Sequence, residues 1–136
     1  MDDAASVAAL RTRLQGVPID LLINNAGMYG PRDSRLGSLD LQAMAEVLLV
    51  NTIGPLGLAE ALLPNLRAGK GKQIVTLSSR MGSIALQKGG GDYIYRTSKA
   101  AVNMVMRCLS GDLAAEGFKV VVCHPGWVQT DRLPAR

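Results

Sequence analysis

The sequence predicts an α/β protein built on a parallel sheet of about three strands with flanking helices. Its short apolar runs, at residues 19–24, 73–78 and 119–124, have the length of strands buried on both faces and stop at glycine, serine or proline. Longer segments with helical apolar spacing separate them. Because strands that alternate with helices pair in parallel, we expect helices on both faces of the sheet.

The composition favours a single globular domain over residues 1–136, since the chain is 48% hydrophobic and 19% charged. The formal net charge of +4 is spread without a basic run, which argues against nucleic-acid binding. Cys108 and Cys123 form neither a disulfide framework nor a zinc-ligand pattern, so no metal site is expected. We expect reduced, buried thiols in a cytoplasmic protein. Polar residues interrupt the apolar stretch 41–63, so no membrane span is expected.

The first helix and the first strand come from residues 2–24. Asp2 or Asp3 is placed to cap a helix that ends before Gly16. The apolar run IDLLIN at 19–24 then stops at Ala26-Gly27, as expected of a strand.

The second helix is long, from about residue 41 to 66, and follows Asp40, a residue type that caps helices. The Gly-Pro pair at 54–55 predicts a kink, because proline removes a backbone hydrogen bond. Glycines at 69–71 turn the chain into the second strand, QIVTLS at 73–78.

The third helix, from about residue 93 to 115, follows a glycine-rich loop at 89–91 and a candidate cap at Asp92. Gly117 ends this helix, and KVVVCH at 119–124 forms the third strand. Ligands bind outside the carboxyl ends of parallel strands. Polar or turn-forming residues follow each predicted strand, at 24–27, 78–79 and 125–126.

Tyr95 and Lys99 are the residues most suggestive of chemistry, because positions i and i+4 share one face of a helix. The pKa of a free phenol is about 10 and that of an ammonium about 10.4. A fixed positive charge beside Tyr95 would lower the pKa of the phenol and make it a proton donor or acceptor for a carbonyl or an alcohol. Such pairs also occur by chance on solvated helices.

Segments spread through the chain together resemble the short-chain dehydrogenase/reductase family, in the family's order and near its spacing. These segments are DLLINNAG at 20–27, VNTIGP at 50–55, TLSSRMGS at 76–83, YRTSKAA at 95–101 and HPGWVQTD at 124–131. The likeness is closest to the C-factor (C-signal) branch. It implies a partial Rossmann fold, a doubly wound parallel sheet that lacks the first βαβαβ unit.

The resemblance also implies roles for single residues. Tyr95 would be the general acid in carbonyl reduction and the base in alcohol oxidation, with Lys99 lowering its pKa and binding the nicotinamide ribose. Ser79 would hold the substrate oxygen, and Asn51 would position a water that links Lys99 to solvent. The cofactor would be NAD or NADP. Its remaining contacts would come from Asn25, Ala26, Gly27, Pro125, Gly126, Val128 and Thr130.

The sequence departs from the family pattern in two places. Ser79 lies further ahead of Tyr95 than is common, and the glycine-rich loop takes up the extra length. The T-G-x-x-x-G-x-G turn that holds the cofactor pyrophosphate is not in the sequence. We therefore expect this chain to be the middle half of the family fold, impaired in cofactor binding and activity, with an apolar sheet edge at 19–24.

Alternative interpretations stay open at this point. The chain is either an oxidoreductase acting on a small carbonyl or alcohol, or a non-enzymatic, C-factor-like signalling or partner-binding fragment. Asn51 could instead bond its own backbone, and Asn24 and Ser78 are expected to be structural. His124 is expected to be structural or pocket-lining, and Trp127 is undecided. Apolar helices around Asn51 and after Tyr95 favour a homo-oligomer.

Overall fold

A computed structural model describes residues 4–32 and 34–126 of the chain. Within them, three parallel strands form one sheet in the order β1-β2-β3. They are β1 (Leu21–Asn24), β2 (Gln73–Leu77) and β3 (Lys119–Cys123). The predicted strands and their parallel pairing are confirmed, each strand being one or two residues shorter than its apolar run.

Helices fill the connections between the strands. They are α1 (Ala4–Arg13) before β1, α2 (Leu41–Leu48), α3 (Gly54–Ala61) and α4 (Leu63–Ala68) between β1 and β2, and α5 (Tyr93–Asp112) between β2 and β3. Short 3-10 turns lie at Arg80–Gly82 and Ala114–Glu116. The candidate caps Asp2 and Asp3 lie outside the described residues. Asp40 caps α2 as predicted, since its carboxylate accepts the Ala43 N–H at 2.9 Å.

The long helix predicted over 41–66 is interrupted by a π-helical turn at Leu49–Ile53. The Gly54 N–H donates to the carbonyl of Leu49, five residues back, as in a π-helix. Pro55 follows directly in the first turn of α3, and its missing N–H leaves one backbone hydrogen bond out of the continuous helical stretch. The predicted interruption near Gly54-Pro55 is therefore present, but it takes the form of a π turn ahead of the proline.

The core lies between the helices and one face of the sheet. Ile74 of β2, fully buried, lies between Leu22 and Val120 in the register of the three strands. The buried residues packed with it are Ala59, Leu62, Leu66, Val102, Met106, Leu113 and Phe118. This face of the sheet and the helices that cover it fix the positions of the strand ends.

The opposite face of the sheet is exposed within the described residues. Leu21, Ile23 and Val121 are 43%, 55% and 44% exposed. The expectation of helices on both faces is wrong here, because β1, β2 and β3 follow one another in a single direction. Right-handed crossovers that all move in that direction place their helices on the same side. The expected apolar edge at β1 is confirmed, since among the described strands β1 pairs only with β2.

The turn that leads into β2 depends on close backbone packing. A Cβ on Gly69 would lie 2.0 Å from the carbonyl oxygen of Ile19, so no side chain fits there. The Asp20 carboxylate accepts the backbone N–H groups of Lys70 and Gly71, at 2.6 and 2.9 Å. The predicted glycine turn is confirmed, and it joins the start of β1 to the start of β2.

The helical stretch Leu41–Ala61 is long and apolar enough to cross a membrane, with a mean hydropathy of 1.3. This differs from the expectation of no candidate span. Core helices of soluble proteins pass the same test, so the indication is weak. Within this stretch, Asn51 and Thr52 bury polar side chains and hydrogen-bond to Ser98 of α5.

The cysteines differ from the expectation of buried thiols. Cys108 is exposed on α5 and Cys123 is half-buried at the end of β3. Both are free thiols. Burial was inferred from residue type alone, and Cys108 lies on a part of α5 that no described element covers.

The asymmetry of the sheet gives a test of the core. Ile74→Ala should lower the free energy of unfolding by about 2–5 kcal/mol, because the deleted atoms leave a cavity in a fully packed site. Ile23→Ala makes the same change on the exposed face and should cost less than about 1 kcal/mol. Urea unfolding followed by circular dichroism measures both. Equal losses for the two variants would contradict this assignment of the core.

Candidate active site

The carboxyl ends of β1 and β2 are joined by structural polar residues. Asn24 is buried, and its Nδ2 donates to Thr76 Oγ1 at 3.1 Å. Ser78 Oγ donates to Asn103 Oδ1 at 2.7 Å, and the Ser78 backbone N–H donates to the carbonyl of Cys123 at 2.8 Å. The structural roles predicted for Asn24 and Ser78 are confirmed. These bonds hold the strand ends that carry the neighbouring site residues.

Tyr95 and Ser79 meet at the end of β2. Ser79 follows the strand, and its Oγ accepts the Met81 N–H at 3.1 Å to begin a 3-10 turn. Tyr95 lies in the first turn of α5, and its phenol interacts electrostatically with the side chain of Ser79. Burial raises the pKa of the Tyr95 phenol, and the Ser79 side chain opposes that rise by stabilising the phenolate.

Lys99 lies one turn further along α5 and is 6% exposed. Its Nζ donates to the carbonyl oxygen of Leu77 at 2.9 Å and lies 5.7 Å from the centre of the Tyr95 ring. Burial lowers the pKa of the ammonium. Burial raises the pKa of Tyr95, and Lys99 is not among the groups that oppose this rise, so the predicted lowering of the Tyr95 pKa by Lys99 stays a prediction.

The side chain of Asn51, in the π turn, links three parts of the fold. Its Oδ1 accepts the Met28 N–H at 2.9 Å, and its Nδ2 donates to the Met28 carbonyl at 2.8 Å and to Ser98 Oγ at 2.9 Å. Ser98 Oγ in turn donates to the Tyr95 carbonyl at 2.8 Å. Asn51 therefore binds a distant loop instead of its own helix. Its predicted part in a water relay stays a prediction.

Asp92 does not cap α5 through its side chain. Its backbone is left-handed, with φ of 51°, and its carboxylate accepts no N–H of the first helical turn. Ser34 does so instead, since its Oγ accepts the Ile94 N–H at 3.3 Å. The Asp92 carboxylate contacts the hydroxyl of Tyr29 at 3.4 Å and the guanidinium of Arg96 at 3.9 Å. The predicted side-chain cap is wrong because a residue distant in sequence supplies it.

Sequence reasoning missed Tyr29. Its ring stacks on the ring of Tyr95, with centres 4.3 Å apart and planes 18° apart. The available signal was an aromatic residue shortly after Gly27, at a strand end where ligands bind. Nothing local in the sequence connects Tyr29 with a helix more than sixty residues away.

The loop after β1 packs closely against Asn51 and Lys99. A Cβ on Gly27 would lie 3.3 Å from Asn51 Oδ1 and 3.6 Å from Lys99 Nζ, so a side chain at this position would crowd both groups. Asn25, Ala26 and Gly27 are exposed. Their predicted contacts with a nicotinamide cofactor stay predictions.

The end of β3 lies at the same edge of the sheet, and His124, Pro125 and Gly126 are exposed there. Trp127, Val128 and Thr130 lie outside the described residues, so their predicted roles stay predictions. No cluster of three or more potential metal ligands occurs among residues 4–32 and 34–126.

The chain is similar to known proteins over nearly its whole length. The sequence matches the short chain dehydrogenase family over residues 2–135. It is 48% identical over 123 residues to C-signal of Myxococcus xanthus, which covers 90% of this chain and 74% of that protein. It is 42% identical to a 1-hydroxy-2-glutathionyl-2-methyl-3-butene dehydrogenase of Rhodococcus sp., over 93% of this chain and 55% of that protein.

Solved structures of carbonyl reductases share the fold. An NADPH-bound carbonyl reductase from chicken fatty liver is 40% identical with a TM-score of 0.79, covering 93% of this chain and 54% of that one. The carbonyl reductase Sniffer of D. melanogaster is 36% identical with a TM-score of 0.82, covering 94% and 56%. The chain thus spans about half the length of these enzymes, and the predicted partial Rossmann fold is confirmed.

The interaction of Ser79 with Tyr95 gives a test of the site that needs no turnover. Ser79→Ala should raise the pKa of Tyr95 further, because the hydroxyl that stabilises its phenolate is removed. Tyrosinate absorbance during an alkaline titration measures this, with Tyr95→Phe identifying the transition. Ser78→Ala loses a neighbouring hydroxyl bonded to Asn103 and should leave the transition in place. A Tyr95 pKa unchanged by Ser79→Ala would exclude the interaction.

Proposed function

The chain belongs to the short-chain dehydrogenase family, and from that premise we propose that it carries the acid–base centre of an NAD(P)-dependent oxidoreductase. The reaction interconverts a carbonyl and an alcohol on a small molecule. The observation that supports this most directly is the placement of Lys99 at the carboxyl end of β2. Its Nζ lies 5.7 Å from the centre of the Tyr95 ring and bonds the carbonyl of Leu77, two residues before Ser79.

In the direction of reduction, Tyr95 donates the proton that the carbonyl oxygen needs as it becomes a hydroxyl. The raised pKa of Tyr95 keeps its phenol in the protonated form that can donate. Ser79 holds the same oxygen by a hydrogen bond that strengthens as negative charge develops there. A bound NAD(P)H supplies the hydride. In the direction of oxidation, Tyr95 in its phenolate form takes the proton from the alcohol.

Lys99 and the loop after β1 are the proposed cofactor contacts. Gly27 lies beside Lys99, since a Cβ there would be 3.6 Å from Nζ, and the ammonium is assigned to a ribose hydroxyl of the cofactor. Asn25 and Ala26 extend this surface toward the adenosine half. Around the nicotinamide we propose Pro125, Gly126, Val128 and Thr130, the last two on sequence alone. Asn51 is proposed to complete a proton relay from Lys99 to water.

Removing the phenol hydroxyl tests the proposed chemistry. Tyr95→Phe should lower carbonyl reduction by about 100-fold to 10,000-fold, since the proton donor is lost while the ring remains. The consumption of NADPH or NADH with a panel of ketones and aldehydes measures the rate. Tyr93→Phe, an exposed tyrosine in the same helical turn, is the matched control and should retain full activity. Equal activity in Tyr95→Phe and the parent chain would overturn the acid–base role.

A partner-binding module is the second candidate function. The 48% identity to a relative named C-signal and the exposed apolar face formed by Leu21, Ile23 and Val121 favour it. A fluorescence titration with NADH and NADPH separates the two candidates. Nucleotide binding together with the Tyr95→Phe loss supports the oxidoreductase. A chain that binds neither nucleotide supports the module instead.

We propose further that the chain forms a homo-oligomer through its helices. Ile53 and Leu56, around the π turn and α3, are 57% and 39% exposed, and Met104 of α5 is 64% exposed. Light scattering should give a mass above one chain, and Ile53→Lys with Met104→Lys should reduce it to a monomer. Leu36→Lys, in a loop at 82% exposure, should not. A monomeric parent chain would contradict this proposal.

A cytoplasmic location is also proposed. Cys108 and Cys123 are free thiols, a state that persists in reducing compartments. Cell fractionation tests it, and recovery of the chain in a secreted fraction would contradict it.

A further inference from the structure

We propose that Tyr29 is a specificity-determining residue of the Tyr95 centre. Its ring forms one wall of the substrate site and favours carbonyl compounds that carry a flat, aromatic or conjugated substituent over saturated ones of the same size. This inference rests on the proposed oxidoreductase function and adds a substrate class to it.

The stacking of the two tyrosine rings defines this wall. With ring centres 4.3 Å apart and planes within 18°, Tyr29 covers one face of Tyr95. A substrate oxygen that reaches the Tyr95 hydroxyl and Ser79 must therefore bring its substituents past the edge of Tyr29. Since Tyr29 is itself 36% exposed, part of its ring stays available to a ligand.

The backbone fixes Tyr29 from both sides. Before it, the Met28 N–H and carbonyl are both bonded to the Asn51 amide, at 2.9 and 2.8 Å. After it, Gly30 has a φ of +77°, and a Cβ there would lie 2.8 Å from the Val47 side chain and 3.3 Å from that of Ile94. A loop anchored at both neighbours holds its aromatic side chain in a defined place.

The hydroxyl end of Tyr29 is held as well. It donates to Asp92 Oδ1 at 3.4 Å and lies 3.8 Å from the sulfur of Met81. The Asp92 carboxylate is free for this contact because Ser34, and not Asp92, accepts the helical Ile94 N–H. Burial and the Asp92 charge raise the pKa of Tyr29, so the hydroxyl remains a donor. The Tyr29 side chain is thus fixed at its backbone and at its hydroxyl.

A rigid aromatic wall discriminates by shape. A flat substituent can lie along the ring at stacking distance, whereas a puckered saturated ring meets it only through a few hydrogens. Aromatic pairs gain enough beyond simple burial to change a binding constant by roughly twofold to tenfold. That range sets the size of the effect to be measured.

Acetophenone and cyclohexyl methyl ketone provide the pair of probes. They differ in the flatness of one six-membered ring and in its conjugation with the carbonyl, so the readout is the change between variants in the ratio of their kcat/KM values, acetophenone over cyclohexyl methyl ketone, with NADPH as reductant. Tyr29→Phe keeps the ring and should keep the ratio. Tyr29→Ala should lower the ratio by about twofold to tenfold relative to the parent chain. Tyr93→Ala, which removes an exposed tyrosine from α5, should not change it.

Ligand-observed NMR gives a second readout that needs neither turnover nor cofactor. Saturation transfer from the protein to acetophenone should occur with the parent chain and Tyr29→Phe and should weaken severalfold in Tyr29→Ala, whose fold is checked by circular dichroism. If the chain shows this pattern but consumes no NADPH, the result supports the role of Tyr29 as a binding wall and contradicts only the proposed oxidoreductase function. Transfer that Tyr29→Ala leaves unchanged, no transfer in the parent chain, or equal transfer to both ketones would overturn the role of Tyr29.

Discussion

The buried amide of Asn51 is the contact on which the rest of the site depends. It is 1% exposed, and its three hydrogen bonds reach Met28 and Ser98. Leaving one of these buried groups unpaired costs about 1–3 kcal/mol, which is large for a domain of this size. The loop after β1, the π turn and α5 are therefore positioned together, and the relative placement of Tyr29, Tyr95 and Lys99 follows from that one side chain.

Burial dominates the electrostatics of the tyrosine–lysine pair. Desolvation favours the neutral form of each group, raising the pKa of Tyr95 and lowering that of Lys99. The Lys99 ammonium donates a hydrogen bond to the Leu77 carbonyl and lies 5.7 Å from the centre of the Tyr95 ring. Ser79 is the group that opposes the effect of burial on the Tyr95 pKa. The folded site therefore favours the protonated form of Tyr95, which is the form that can donate a proton.

Local patterns were enough to predict part of this molecule. The strands were predictable because short apolar runs end at turn residues, and the position of Tyr95 relative to Lys99 was predictable from helical spacing. Features that depend on distant partners were not. The Ser34 hydroxyl that caps α5 is sixty residues from Ile94, whose N–H it accepts, and the stack of Tyr29 on Tyr95 joins a loop to a helix. The exposure of one face of the sheet was not predictable either, because it depends on the direction of successive crossovers and no single segment encodes that direction.

The π turn sets the rotational phase of the helices on either side of it. An α-helix advances by 3.6 residues per turn, or about 100° per residue, and a π turn takes up one residue more. Before the turn, Val47 of α2 packs beside Gly30 in the site loop. After it, Ala59 of α3 faces the core. The additional residue thus lets the two halves of a nearly continuous helix face different neighbours. The first half packs against the loop after β1, and the second half packs against the core.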